Sequence, residues 1–306
     1  MKDFLDRAQR FLESRNINAY NIALYENGET RCRKLQKANR LNNVYSISKN
    51  FTATAIGMLS YRGALDVNDP AVRYLGEFLP PRHAKQWEKI TVGNLLSHTW
   101  GQGKGDFFEA ERYAFRYEEG SDRLTGEIFP HGNDWLKEIL SEDLPLKVGG
   151  EMRYSNASYY LLSRIAEKAA GKTLFSFLTD ELFVKAGFHG YAAGSCPKGH
   201  TVGATEMFFC IEDLLKLGIL YLNKGVLQGV RFFAEDWAKT ASLPRARSGE
   251  LCYGYGFWRT QADGGFYYAY GAHAQLVVID EKNARVFAMQ GYDDWDEQAF
   301  LSEFFG

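Results

Sequence analysis

The spacing of apolar residues changes period twice along the chain. Residues 1–14 set Phe4, Leu5, Ala8 and Leu12 at helical spacing with charges between them, which predicts an amphipathic helix. Residues 18–25 are rich in β-formers, Glu26-Asn27-Gly28-Glu29 reads as a turn, and 30–35 as the returning strand. From about residue 46 to 240 the pattern is helical, most clearly over 47–61, 92–96, 134–140, 157–170, 174–185 and 211–222. The final part alternates with period two over 254–260, 266–270, 274–279 and 285–290, turns at 280–283, and closes on a helix over 294–304. Strands at both ends with helices between predict an α+β fold: an antiparallel β-sheet flanked by the terminal helices, plus a mostly helical lobe. On this reading 1–45 and 245–306 form the sheet lobe and 46–244 the helical lobe. The ligand site is expected in the cleft between them. Residues 101–132 fit neither period and are expected to form an aromatic-bearing loop or lid.

Composition narrows the partners. The 306 residues carry 36 basic and 38 acidic side chains, a net charge of −2, so there is no broad basic field for nucleic acid or an anionic membrane surface. Phe and Tyr number 22 and 18, enough to fill a core and to line an apolar pocket as well. No apolar run approaches the length of a membrane span, and the first residues do not form a signal peptide. Cys32, Cys196, Cys210 and Cys252 are scattered, which reads as free thiols in a reducing, cytoplasmic setting. Histidines show no ligand spacing, so neither metal nor cofactor is expected. Gly101-Gln102-Gly103-Lys104-Gly105-Asp106 lacks the phosphate-loop pattern.

The sharpest chemical signal is Tyr45-Ser46-Ile47-Ser48-Lys49 at the head of an apolar helix. Three residues apart, Ser46 and Lys49 share one face of the first turn. A hydroxyl needs a base to become a nucleophile, and a desolvated lysine can serve. The helix start also offers N–H groups to a developing oxyanion. The competing reading of Ser46 is a plain N-cap serine. A second S-x-x-K, Ser195-Cys196-Pro197-Lys198, reads as a loop because of its proline and flanking glycines. Tyr154-Ser155-Asn156 precedes another helix. A tyrosine near a cation can share proton transfer, and an Asn can hold a carbonyl, although Y-x-N also occurs at 25–27 and 221–223.

In their order along the chain these segments resemble the serine β-lactamase-like hydrolases. That family groups class C β-lactamases and penicillin-binding carboxypeptidases with related esterases, D-aminopeptidases and aminohexanoate-oligomer hydrolases. The resemblance runs from about residue 20 to 290. Tyr45 to Thr52 is similar to the family's nucleophile helix, Gly63 to Pro70 to its exit, and Ile90 to Gly101 to its "I-T-I-R-x-L-L-x-H-T-S-G" segment. Val148 to Asn156 resembles "P-G-x-x-F-x-Y-S-N", Gly203 to Gly225 the helix that follows, and Tyr253 to Phe257 the "Y-G-x-G-W" strand.

The resemblance implies an acyl-enzyme on Ser46, with Lys49 and Tyr154 relaying the proton and either one the primary base. Asn156 would hold the substrate. The family's K-T-G or H-x-G strand is replaced here by Tyr270-Gly271-Ala272-His273-Ala274-Gln275, close to a "G-x-x-G-Q" variant of the esterase and oligomer-hydrolase branches. That places the second oxyanion donor at Ala272, beside Gly271, while His273 either adds a donor or serves the structure. His98 reads as structural. The function expected is a cofactor-free serine hydrolase acting on a small-molecule ester or amide. Penicillin-binding, D-amino-acid peptidase or β-lactamase activity is the alternative within the enzymes, and a catalytically weak scaffold or filament former the alternative outside them.

Overall fold

The computed structural model describes residues 2–102, 133–260 and 264–306, with strand backbone at Arg116–Tyr117 and Leu124–Thr125. The lid expected over 101–132 therefore falls almost wholly outside the described residues. The main helices are α1 (Lys2–Ser14), α2 (Ser48–Tyr61), α3 (Asn156–Ala170), α4 (Ile211–Leu222) and α5 (Glu297–Phe305).

Both chain ends feed one antiparallel sheet of eight strands. Its spatial order is Ala246–Ser248, Leu251–Tyr253, Trp258–Arg259, Phe266–Gly271, Gln275–Asp280, Arg285–Gly291, Ala19–Glu26, Glu29–Lys34. Each strand neighbours its successor in the chain, and the C-terminal strand closes against the N-terminal one. The central strand Gln275–Asp280 is buried at every position, so both faces of the sheet are covered. On one face Phe4, Leu5, Ala8, Phe11 and Leu12 of α1 pack with Phe300, Leu301 and Phe304 of α5 against Phe287 and Met289. On the other lies α4. A Cβ at Gly218 would overlap the Val286 side chain and come within 2.9 Å of Val277, so the bare glycine lets the helix lie directly on the sheet. The helical stretch of the sequence is thus joined to the sheet through α4.

Two expectations are corrected. The strand expected over 254–260 is a tight turn, closed by a hydrogen bond from the Gly254 N–H to the Phe257 carbonyl at 2.8 Å, between short strands at Leu251–Tyr253 and Trp258–Arg259. A small second sheet, Asn42–Asn43, Met207–Phe209 and Tyr191–Ala193, lies within the stretch read as helical. Two- and three-residue strands are too short for a period to show.

Helix α2 is buried from Ser48 to Leu59, polar Lys49, Asn50, Thr52 and Thr54 included. Three of its polar side chains bond to main chain. Thr52 Oγ1 donates to the Gly203 carbonyl at 2.7 Å, Asn50 Nδ2 to the Gly256 carbonyl at 2.8 Å, and Ser48 Oγ accepts the Met207 N–H at 3.1 Å. These bonds fix the helix whose first turn bears Lys49.

Candidate active site

The chain reaches α2 through a strained turn. Tyr45 holds φ of +46°, and its N–H is captured at 2.8 Å by Asn43 Oδ1, a local side-chain turn that delivers Ser46 into a single 3-10 turn, Tyr45–Ile47. Lys49 then falls on the same face, as the three-residue spacing requires. Its Nζ donates to Ser46 Oγ at 3.1 Å, Asn156 Oδ1 at 2.7 Å and the Ala204 carbonyl at 2.8 Å. Lys49 is only 1% exposed, with the Tyr154 and Tyr159 rings 4.9 and 5.9 Å from its Nζ, so the amine meets these polar acceptors away from bulk water.

Tyr154 completes the wall. Its ring centre is 4.9 Å from Lys49 Nζ, 4.4 Å from the His98 ring and 5.8 Å from the Trp258 ring, on which it stacks. The position follows from a helix cap: Ser155 caps α3, its Oγ accepting the Ala157 N–H at 3.1 Å. Tyr154 thus stands just before the helix and Asn156 opens it.

The edge of the sheet closes the other side. A Cβ at Gly271 would land on the Val44 carbonyl oxygen and 3.3 Å from the Ser46 nitrogen, so the strand Phe266–Gly271 runs main chain to main chain against the Ser46 turn. Ala272, exposed at the strand end, begins a turn in which His273 and Ala274 take φ of +59° and +65°. Gln275 braces that turn, donating to the His273 and Gly291 carbonyls at 3.0 and 2.6 Å. The His273 ring is stacked 4.4 Å from Tyr292 and edge-on 4.9 Å from Tyr45, with Nδ1 3.8 Å from Asp294 Oδ1. The second S-x-x-K stays apart: Lys198 pairs with Asp134 at 2.6 Å.

The β-lactamase family model matches residues 4–291. The chain belongs to the β-lactamase family. A penicillin-binding protein of Bacillus subtilis (strain 168) is 29% identical over 162 residues, covering 50% of this chain and 30% of that protein. A β-lactamase of Pseudomonas fluorescens is 24% identical over 186 residues, 58% of this chain and 46% of that protein. The matched stretches span less than half the length of these two relatives. Among solved structures, EstCE1, a hydrolase with promiscuous acyltransferase activity, superposes with a TM-score of 0.71 at 15% identity, covering 95% of this chain and 92% of that one.

Within this β-lactamase-family chain three contributors were not visible as site residues. The Ala204 carbonyl and the Trp258 ring reach Lys49 and Tyr154 from distant parts of the sequence. His98, expected to be structural, is buried against Tyr154. Its Nδ1 accepts the Ser155 N–H at 3.1 Å, which leaves the ring proton on Nε2, 3.3 Å from the Tyr253 hydroxyl. His98 thereby sets the backbone between Tyr154 and Asn156.

Burial, then the charge on Lys49, holds the His98 imidazole well below its ordinary 6.5. The unfolded chain protonates this group below about pH 6.5, while the folded protein keeps it neutral. His98 therefore costs nothing above that pH and destabilises progressively below it, by up to about 1.4 kcal/mol per pH unit. Urea midpoints followed from about pH 7.5 to 5 should fall more steeply for wild type than for His98→Asn, whose side chain tolerates the φ of +57°. Parallel slopes would remove His98 as the titrating group.

Among the described residues, His189, Cys210 and Asp213 bring metal-ligand atoms within 4.8 Å of one another. Asp213 already accepts the N–H groups of His189 and Gly190 at 2.8 and 2.7 Å and the Lys216 ammonium at 2.8 Å. Burial pushes the Cys210 thiol up to about 12. The Lys216 charge occupies the place where a metal cation would need the carboxylate, and the cluster secures the entry to α4. Among the described residues no helix is long and apolar enough to cross a membrane.

Proposed function

We propose that this chain is a serine hydrolase working through an acyl-enzyme on Ser46, with small esters or amides as substrates. The observation that carries the reading is the buried Lys49 amine held 3.1 Å from Ser46 Oγ by two fixed acceptors, Asn156 Oδ1 and the Ala204 carbonyl. A scaffold has no need for a buried amine aimed at a partly exposed serine, because burying it is costly. In the proposed reaction Ser46 Oγ attacks the substrate carbonyl carbon. Its proton passes through Lys49 and Tyr154 to the leaving alcohol or amine, and water then releases the acid. The Ser46 and Ala272 N–H groups are assigned to the developing oxyanion, since Gly271 brings that strand end against the Ser46 nitrogen. Asn156, already bonded to Lys49, is assigned to orient the substrate's carbonyl or amide. His273 borders this opening through Tyr45.

Short-chain p-nitrophenyl esters test the reading. Wild type should release one equivalent of p-nitrophenol per active site in a burst, then turn over steadily, and Ser46→Ala should show neither phase. The same slow background from both proteins would sink the proposal.

Similarity to a penicillin-binding protein and a β-lactamase favours a second reading, in which the acyl donor is a β-lactam or a D-amino-acid peptide. A long-lived penicillin adduct on Ser46, seen as a mass increase of the intact protein, would move that reading ahead.

A further inference from the structure

Apart from the Ser46 site, the segments 82–89 and 143–148 enclose a cavity of about 850 Å³, a size that takes a small organic ligand. Neither Ser46, Lys49, Tyr154 nor Asn156 is among its described lining residues. Four of those residues are cations, Arg82, Lys85, Lys89 and Lys147, against one carboxylate, Asp143. On the first wall Arg82, Lys85 and Lys89 recur at intervals of three and four about the helical turn Ala84–Trp87, the spacing that sets side chains on one face. Lys147 comes from the second wall.

Part of this cationic set is fixed in place. Arg82 Nε donates to His83 Nε2 at 2.9 Å, and a terminal guanidinium nitrogen reaches the Ser141 carbonyl at 3.4 Å, so Arg82 links the first wall to the chain entering the second. His83, which also lines the cavity, is only 4% exposed. Because its Nε2 accepts, the ring proton sits on Nδ1, 3.5 Å from Gln86 Oε1 and 3.9 Å from Asp143 Oδ1. The second wall is pinned through main chain: the Leu146 N–H donates to the Gly101 carbonyl at 3.0 Å and the Gly149 N–H to the Thr99 carbonyl at 2.7 Å. Leu144, Leu146 and Val148 alternate along it and give the cavity an apolar lining beside Lys147.

Among the described residues Arg82, Lys85, Lys89 and Lys147 form no ion pair. Lysines elsewhere on this surface are answered: Lys168 by Glu77 and Lys198 by Asp134 at 2.6 Å, Lys185 by Glu181 at 2.7 Å, and Lys172 by Asp180 at 2.9 Å. Like charges gathered round a concavity repel one another and raise the local positive potential. In a chain of net charge −2 that concentration belongs to this place and not to the whole surface. An anion entering the cavity relieves the repulsion, and the held guanidinium loses little freedom in meeting it. A phosphate dianion presents three oxygens and answers several cations at once, where a carboxylate presents two oxygens and a single charge.

We propose that this cavity is a second binding site, for a small phosphate monoester with an apolar body. The phosphate lies among Arg82, Lys85, Lys89 and Lys147, and the body rests against Leu144, Leu146 and Val148. The assignment is independent of the hydrolase reading, since none of the residues it uses belongs to the Ser46 site.

The probe is 1-naphthyl phosphate, titrated calorimetrically into the whole chain at low ionic strength, with 1-naphthoate as the singly charged comparison. Wild type should bind one equivalent of the phosphate ester, about tenfold or more tightly than naphthoate. Lys85→Gln combined with Lys89→Gln should weaken that binding about tenfold. Lys147→Gln, on the opposite wall, should do the same, which guards against a fold lost through the double variant. Lys172→Gln removes a surface lysine elsewhere and should leave the affinity unchanged, as should Lys49→Met. Undiminished binding in either cavity variant overturns the assignment, and so does equal affinity for naphthoate. Binding lost in Lys49→Met also overturns it, by placing the anion beside Ser46, and absence of binding by wild type overturns it outright.

Discussion

Lys49→Met should slow acylation of Ser46 by about 10²–10⁴-fold, the range for losing a positioned general base, while leaving the fold intact. The two effects separate because they have different origins. Catalysis needs an amine that can take the Ser46 proton, and Met has none. Stability feels two opposed changes. Asn156 Oδ1 and the Ala204 carbonyl lose a charged donor at 2.7 and 2.8 Å, which costs about 1–3 kcal/mol if each finds no substitute. The cost of burying an ammonium in a site 1% exposed disappears at the same time. Met fills nearly the same space, so the net change in stability should be small. Stopped-flow measurement of the burst, paired with a thermal melt, reads both quantities. An acylation rate within tenfold of wild type would make Tyr154 the primary base and reduce Lys49 to an electrostatic support.

Gly271→Ala should cost activity out of proportion to stability. The added methyl would meet the Val44 carbonyl, with Gln275 Cβ at 3.1 Å and the Ser46 nitrogen at 3.3 Å. None of these is the free end of a flexible side chain, so the strand edge and the Ser46 turn must move apart. Overpacking of this kind costs about 1–3 kcal/mol. The catalytic loss should be larger, because the proposed oxyanion donors lie on the two segments being separated, and removing one such donor costs about 10²–10³ in kcat. Gly265→Ala is the matched control: its Cβ would meet only the Lys282 side chain, at 3.3 Å and beyond. Equal kcat for the two variants would mean that Ser46 does not depend on the Phe266–Gly271 edge.

The parts of this protein that follow from its sequence are those fixed within a turn or two of chain. Ser46 and Lys49 share a face because helical geometry puts residues three apart side by side, and the structure realises it at 3.1 Å. The start of α3 is legible in Ser155, and the sheet strands in their β-rich runs. Tyr154 and Asn156 stood out through the order of motifs along the chain, since Y-x-N by itself occurs three times.

Tertiary structure decided the rest. The third acceptor for Lys49 is a main-chain carbonyl 155 residues away, and a carbonyl carries no side-chain signature. Trp258 became a wall of the site only because the hairpin Leu251–Tyr253, Trp258–Arg259 turns where a single strand was expected. Local spacing specifies which groups can meet, but the desolvation that gives a lysine or a carboxylate its chemistry is a property of everything packed around it.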